Sequence, residues 1–170
     1  MIIRGGTARS FCLSGEEPHQ PIMPASSLLL DVYDHHPESP VSAAVLAERG
    51  RLALPLCLES PAAGAPCLLP GLEEVEVSLV TDKEIARVHG EYLDDPTPTD
   101  VITFHHGEIL ISADTAVRVA GELGQPADRE ALLYLIHGLL HLNGHDDQEE
   151  EARGLMHARQ EAILAAIWPI

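Results

Sequence analysis

Positive charge is what this chain has least of. Ten lysines and arginines stand against 27 aspartates and glutamates, giving a formal net charge of −17 and a pI near 4.7. Phosphate neutralisation by Lys and Arg normally supplies affinity for nucleic acid, so a broad electrostatic grip on RNA or DNA is excluded. Aromatic residues are scarce too, at 4%. That excludes a row of stacking platforms for unpaired bases. It also leaves the core to Leu, Val, Ile and Ala, which dominate a hydrophobic content of 45%. The three cysteines, Cys12, Cys57 and Cys67, show no Cys-x-x-Cys spacing. Neither a disulfide scaffold nor a cysteine metal site is indicated, and a reducing cytoplasm fits best. No apolar run is long enough for a transmembrane helix, and no continuous apolar segment of signal-peptide type follows Arg4 and Arg9. No membrane partner is expected. The 170 residues suffice for one domain with a real core.

What the chain does have is concentrated in His137-Gly138-Leu139-Leu140-His141-Leu142-Asn143-Gly144-His145-Asp146-Asp147. Two histidines four residues apart sit in an apolar run from Ala131 to Leu142. On a helix, positions i and i+4 share a face, so two imidazoles can reach one cation. Gly144 ends the helix, and His145, Asp146 or Asp147 can supply a third ligand. Three protein ligands with an open position is the pattern of a hydrolytic zinc site. The familiar metalloprotease helix carries Glu directly after its first His as general base. Here that position is Gly138, which argues against a peptidase.

These residues resemble the signature of the YbeY endoribonucleases, the rRNA maturation factors: His-Gly-x-Leu-His-Leu-x-Gly, then an aromatic or His, then Asp-His. His137, Gly138, Leu140, His141, Leu142, Gly144, His145 and Asp146 fall in register, and the family's third histidine falls on Asp147. Upstream, Pro98-Thr99-Asp100-Val101-Ile102-Thr103-Phe104 is similar to the family's Pro-Thr-Asp-Val-Leu-Ser-Phe, and Glu108 to Ser112 resembles the strand that follows it. The likeness covers about residues 75–165. It implies a metal site of His137, His141 and Asp147, with one divalent ion, zinc, as cofactor. His145 remains the alternative third ligand. Asp146 is expected either to fix a ligand's tautomer or to serve as catalytic base. Asp100 and Thr103 are expected to help bind substrate.

The resemblance implies a single-strand endoribonuclease of ribosomal RNA maturation (16S rRNA 3′ end processing) and ribosome quality control. Its implied partners are an rRNA precursor, small ribosomal subunit proteins and a ribosome-assembly GTPase. One departure bears on activity. The arginine that follows a tyrosine in the family, and is thought to contact the RNA backbone, is Leu93 here, after Tyr92. The alternative reading is therefore a catalytically weakened, metal-stabilised ribosome-assembly or interaction protein. If phosphate is held elsewhere, Arg87 and Arg118 are the candidates. His35-His36 and His105-His106 read as turns, His157 as a surface residue, and Glu149 to Glu151 as acidic residues of a first helical turn.

Along the chain, residues 1–25 read as a flexible N-terminal extension, and 26–170 as a single domain. A strand is expected at Leu28–Tyr33, and a helix from Val41 to about Leu54, stopped by Pro55. A second strand is expected at Val75–Val80. Thr81 to Glu84 forms a capping box for a helix reaching about His89. Short strands at Val101–Phe104 and Ile109–Ser112 precede helices at Ala113–Leu123, Ala127–Asn143 and Glu149–Ile167. Strands and helices without strict alternation predict an α+β fold: a small mixed sheet with helices packed on it, and the histidines on a buried helix.

Overall fold

In the computed structural model, the described residues are 2–3, 28–63 and 65–168. The elements run β1 (Ile2–Ile3), β2 (Leu29–Asp34), α1 (Ala43–Leu58), a 3₁₀ turn (Leu69–Gly71), β3 (Glu74–Val80), α2 (Asp82–Leu93), β4 (Val101–Phe104), β5 (Glu108–Ser112), α3 (Ala113–Leu123), α4 (Ala127–Leu142) and α5 (Glu150–Ile167). The fold is α+β, as expected. The sheet order is β1-β4-β5-β3-β2, with only the β4–β5 pair antiparallel. Ile2 and Ile3 pair with Thr103 and Phe104. The rest of the expected N-terminal extension lies outside the described residues.

The alternation of β3 explains its place between β5 and β2. Val75, Val77 and Leu79 are wholly buried on one face, whereas Glu74 and Glu76 reach water on the other. The buried face meets α4, whose Leu132, Leu135, Ile136, Leu139 and Leu140 lose all exposure. At roughly 1.5–3 kcal/mol per fully buried aliphatic side chain, this helix is a main source of the driving force for folding. Gly138 sets how closely α4 sits on the sheet. A Cβ there would lie 2.9 Å from Thr103 Oγ1 and 3.1 Å from Ile109 Cδ1.

Two helix ends differ from the sequence expectation. Helix α1 does not stop at Pro55 but runs on to Leu58. Proline removes only the bond to the carbonyl of Arg51. Pro55 and Arg51 are both exposed, on the outer side of the helix, while Leu54 and Cys57 are buried on the inner side and hold the last turn to the core. Helix α2 passes His89 to Leu93 because Tyr92 packs edge-on against Phe104, with ring centroids 5.3 Å apart. It ends at Asp94, a non-glycine residue at φ 57°. No described helix is long and apolar enough to cross a membrane.

Candidate metal centre and its cleft

Both histidines lie on α4, one turn apart. His141 is 3% exposed. Its Nδ1 donates to the backbone carbonyl of His145 at 3.0 Å, so the proton is on Nδ1 and the Nε2 lone pair points outward. His137 is arranged likewise, its Nδ1 donating to Gln160 Oε1 at 3.1 Å. The two Nε2 atoms then face each other at 3.0 Å. Asp147 Oδ2 lies 3.5 Å from the first and 3.7 Å from the second.

Two lone pairs and a carboxylate aimed at one point suit a cation. Ligand arms of about 2.0–2.2 Å in a tetrahedral site separate donor atoms by roughly 3.3–3.5 Å. His137, His141 and Asp147 also form a three-residue cluster able to hold a metal among the described residues. Burial pulls both imidazoles below their ordinary pKa, His141 to about 4, and His137 beside it adds to the effect on His141. Both are thus neutral ligands at physiological pH. Burial pushes the Asp147 carboxyl up, but the two histidines and its own backbone pull harder, and the net direction is down.

The turn that delivers Asp147 is pinned at several points. Gly144 sits at φ +90°, and a Cβ there would meet Pro66 O at 3.3 Å. Asn143, wholly buried, donates to the Cys57 carbonyl at 2.7 Å. The Leu142 carbonyl accepts from Leu68 N at 2.8 Å. Arg153 closes the loop from α5, donating to the carbonyls of Asp147 at 3.0 Å and Gln148 at 3.1 Å. Cys57 itself is an inert thiol, pushed up to about 12 by burial.

Several expectations need revision. His145 turns away and donates from Nε2 to the Ser60 carbonyl at 2.8 Å, so the third donor brought to the histidines is Asp147. Asp146 does not fix a ligand tautomer. Its Oδ1 accepts from the backbone N–H of Asp147 and Gln148, shaping the turn, while the His145 carbonyl and Gln160 orient the imidazoles. Thr103 has no surface to offer a substrate: it is fully buried against Gly138. Asp100 does face a cleft, with Oδ1 accepting from Val101 N at 2.8 Å and Thr99 Oγ1 at 3.0 Å. The turn reading holds for His105-His106, whereas His36 lies outside any turn, half-buried and tied to Asp114 at 3.0 Å.

The cleft, of about 460 Å³, opens beside His137. One face of α4 forms its floor, through His137, Tyr134, Leu133 and Glu130. Asp100, Arg118 of α3 and Gln160 of α5 stand around it. Glu130 is buried, and together with burial it holds the Tyr134 phenol above its ordinary pKa, hence protonated. Sequence reasoning missed Gln160 and Tyr134. Gln160 lies 23 residues from the histidine it orients, and Tyr134 reads as one more apolar position of a buried helix. The one available signal for Tyr134 is its place three residues before His137.

The family model described as "Endoribonuclease YbeY" matches residues 57–168, well over half of the chain. The chain belongs to the YbeY family. Relatives named "Endoribonuclease YbeY" include one from Heliobacterium modesticaldum, 38% identical over 116 residues, covering 55% of this chain and 70% of that protein. Another, from Moorella thermoacetica, is 37% identical over 125 residues, covering 62% and 80%. The solution structure of a Thermotoga maritima protein superposes with a TM-score of 0.59 over 82% of this chain and 89% of its own. At 22% identity that likeness speaks for the fold. In this YbeY chain, His137 and His141 match the family signature, and the third convergent donor, Asp147, stands at the signature's last histidine position.

Proposed function

We propose that the chain is a zinc-dependent, single-strand endoribonuclease acting on ribosomal RNA precursors, at the 3′ end of 16S rRNA, and in ribosome quality control. The observation that carries the metal dependence is the convergence of His137 Nε2, His141 Nε2 and Asp147 Oδ2 within 3.0–3.7 Å of one another. A bound divalent ion would supply Lewis acidity toward a phosphoryl oxygen and lower the pKa of water beside it. The chain's own residues do the rest. Gln160 and the His145 carbonyl hold the two imidazoles in one tautomer. Tyr134, kept protonated by Glu130 and burial, lines the approach to His137. Asp146, exposed and one residue from the Asp147 ligand, is the candidate base.

The acidic surface bears on partners. With a net charge of −17, affinity for the rRNA precursor has to come largely from protein contacts: small ribosomal subunit proteins or a ribosome-assembly GTPase, in the cytoplasm. Leu93, exposed at the end of α2 where the resemblance expects arginine, favours the second reading, a weakened nuclease that acts as a metal-stabilised assembly protein.

The test is cleavage of single-stranded and duplex RNA spanning a precursor 3′ end, by wild type, His137→Ala and Leu93→Arg. Metal-dependent cutting of the single strand alone, lost in His137→Ala, is the expected result. No cutting by wild type and strong cutting by Leu93→Arg would favour the second reading. No cutting by either would overturn the nuclease assignment.

A further inference from the structure

We propose that Arg118 on α3 is the phosphate-binding residue of the cleft, gripping an RNA phosphate next to the one held at the metal centre. The inference rests on the nuclease reading and adds to it a substrate contact at a position the family signature does not mark.

Among the residues lining the cleft, Arg118 is the one Lys or Arg. The same walls carry Asp100 and Glu130, so without Arg118 the approach to His137 would repel a polyanion. Arg87, the other candidate, pairs with both Glu84 and Glu91 at 2.8 Å and lines a different depression. Arg153 holds the metal loop.

Arg118 is also pre-oriented. One guanidinium N–H donates to Thr115 Oγ1 at 3.2 Å, and that hydroxyl donates in turn to Asp82 Oδ1 at 2.8 Å. Thr115 is buried, so the relay is anchored. A guanidinium has five donors in a planar fork suited to phosphate. Glu122 competes only loosely, at 3.9 Å and on the exposed side.

Tyr134, whose hydroxyl lies within the electrostatic reach of Arg118, Asp100 and Glu130, is about 4.5 Å along the α4 axis from His137. Arg118 and His137 line the same cleft, so a strand lying in it meets the guanidinium on its way to the metal centre.

The experiment measures binding of a fluorescent single-stranded RNA by the full-length protein across a salt series, together with kcat and KM for its cleavage. Arg118→Gln keeps the stem and a donor but loses the charge. Its expected behaviour is about tenfold weaker binding, a salt slope shallower by about 0.7 for one lost phosphate contact, and a KM effect with little change in kcat. Arg118→Lys should restore most of the salt slope. Glu122→Gln should tighten binding by releasing the competing carboxylate, which a merely structural role for Arg118 would not produce. Arg87→Gln should behave as wild type. If wild type cleaves and Arg118→Gln matches it in KM and salt slope, the Arg118 assignment falls while the nuclease reading stands. If wild type neither binds nor cleaves RNA, both fall.

Discussion

The Nε2 atoms of His137 and His141 face each other 3.0 Å apart, with their rings at 90°. Each ring commits its other nitrogen to a carbonyl oxygen, so the facing positions are lone pairs. Without a cation that arrangement is repulsive, and the hydrogen bonds to Gln160 and the His145 carbonyl hold the rings in it. The strain is relieved by any cation that binds between them. Asp147→Ala should therefore lose the metal, as His137→Ala does, whereas His145→Ala should keep it. Elemental mass spectrometry of the three purified variants checks this. Metal retained in Asp147→Ala and lost in His145→Ala would move the third ligand to His145.

Gln160 fixes the His137 ring from α5 and also donates to His157 Nδ1 at 3.3 Å. Gln160→Leu keeps the volume of a 3% exposed position but frees His137 to change tautomer. Loss of such an outer partner typically costs 10–100-fold in metal affinity. A competitive chelator titration should show a loss of about that size. An unchanged affinity would mean that packing alone holds the ring.

Gly138 occupies the position where a metalloprotease helix places its glutamate. The structure gives it a packing role. A Cβ would press on Thr103 Oγ1 and two atoms of Ile109, all backed by the sheet. Gly138→Ala gains about 1 kcal/mol of helix propensity but meets an overpacking cost of about 1–3 kcal/mol. Net destabilisation of up to about 2 kcal/mol is expected, seen as a lower Tm. A Tm at or above the wild-type value would show that β4 yields.

The three donors that the structure brings together were legible because local geometry places them. An i,i+4 pair on a helix needs no knowledge of the tertiary fold, and a glycine-ended helix returns the chain to the same spot. Asp147 followed from the register of the motif. What could not be read were contacts between distant segments. His137 depends on Gln160, Asn143 on Cys57 and His145 on Ser60, all set by how α1, α4 and α5 dock. Thr103 illustrates the opposite error. A hydroxyl in a motif segment suggested substrate contact, but a four-residue strand under a helix buries every side chain it carries. Pro55 misled because the core contacts of Leu54 and Cys57 carry the helix past it, a tertiary effect that local sequence does not show.

The pH dependence of metal binding follows from the direction of three shifts. A metal needs neutral histidines and an ionised carboxylate, so protons compete through whichever group titrates within the range studied. Burial lowers His141 to about 4 and lowers His137 in the same direction, while Asp147 is held below its usual range. In the folded apoprotein none of the three takes up a proton near neutrality. Zinc affinity should therefore hold as pH falls into the ordinary histidine range and weaken further down, as the lowered histidine values are approached. The same shift works against the apo fold. The unfolded chain, with histidines near 6.5, binds more protons than the native state between about pH 6.5 and 4, so apoprotein stability declines through that window as pH falls. Chelator competition and urea unfolding across pH 8 to 4.5 measure both. An affinity that drops about a hundredfold per unit from pH 6.5 downward, tenfold for each imidazole, would show that the two titrate as exposed groups and that α4 does not hold them in a desolvated pair.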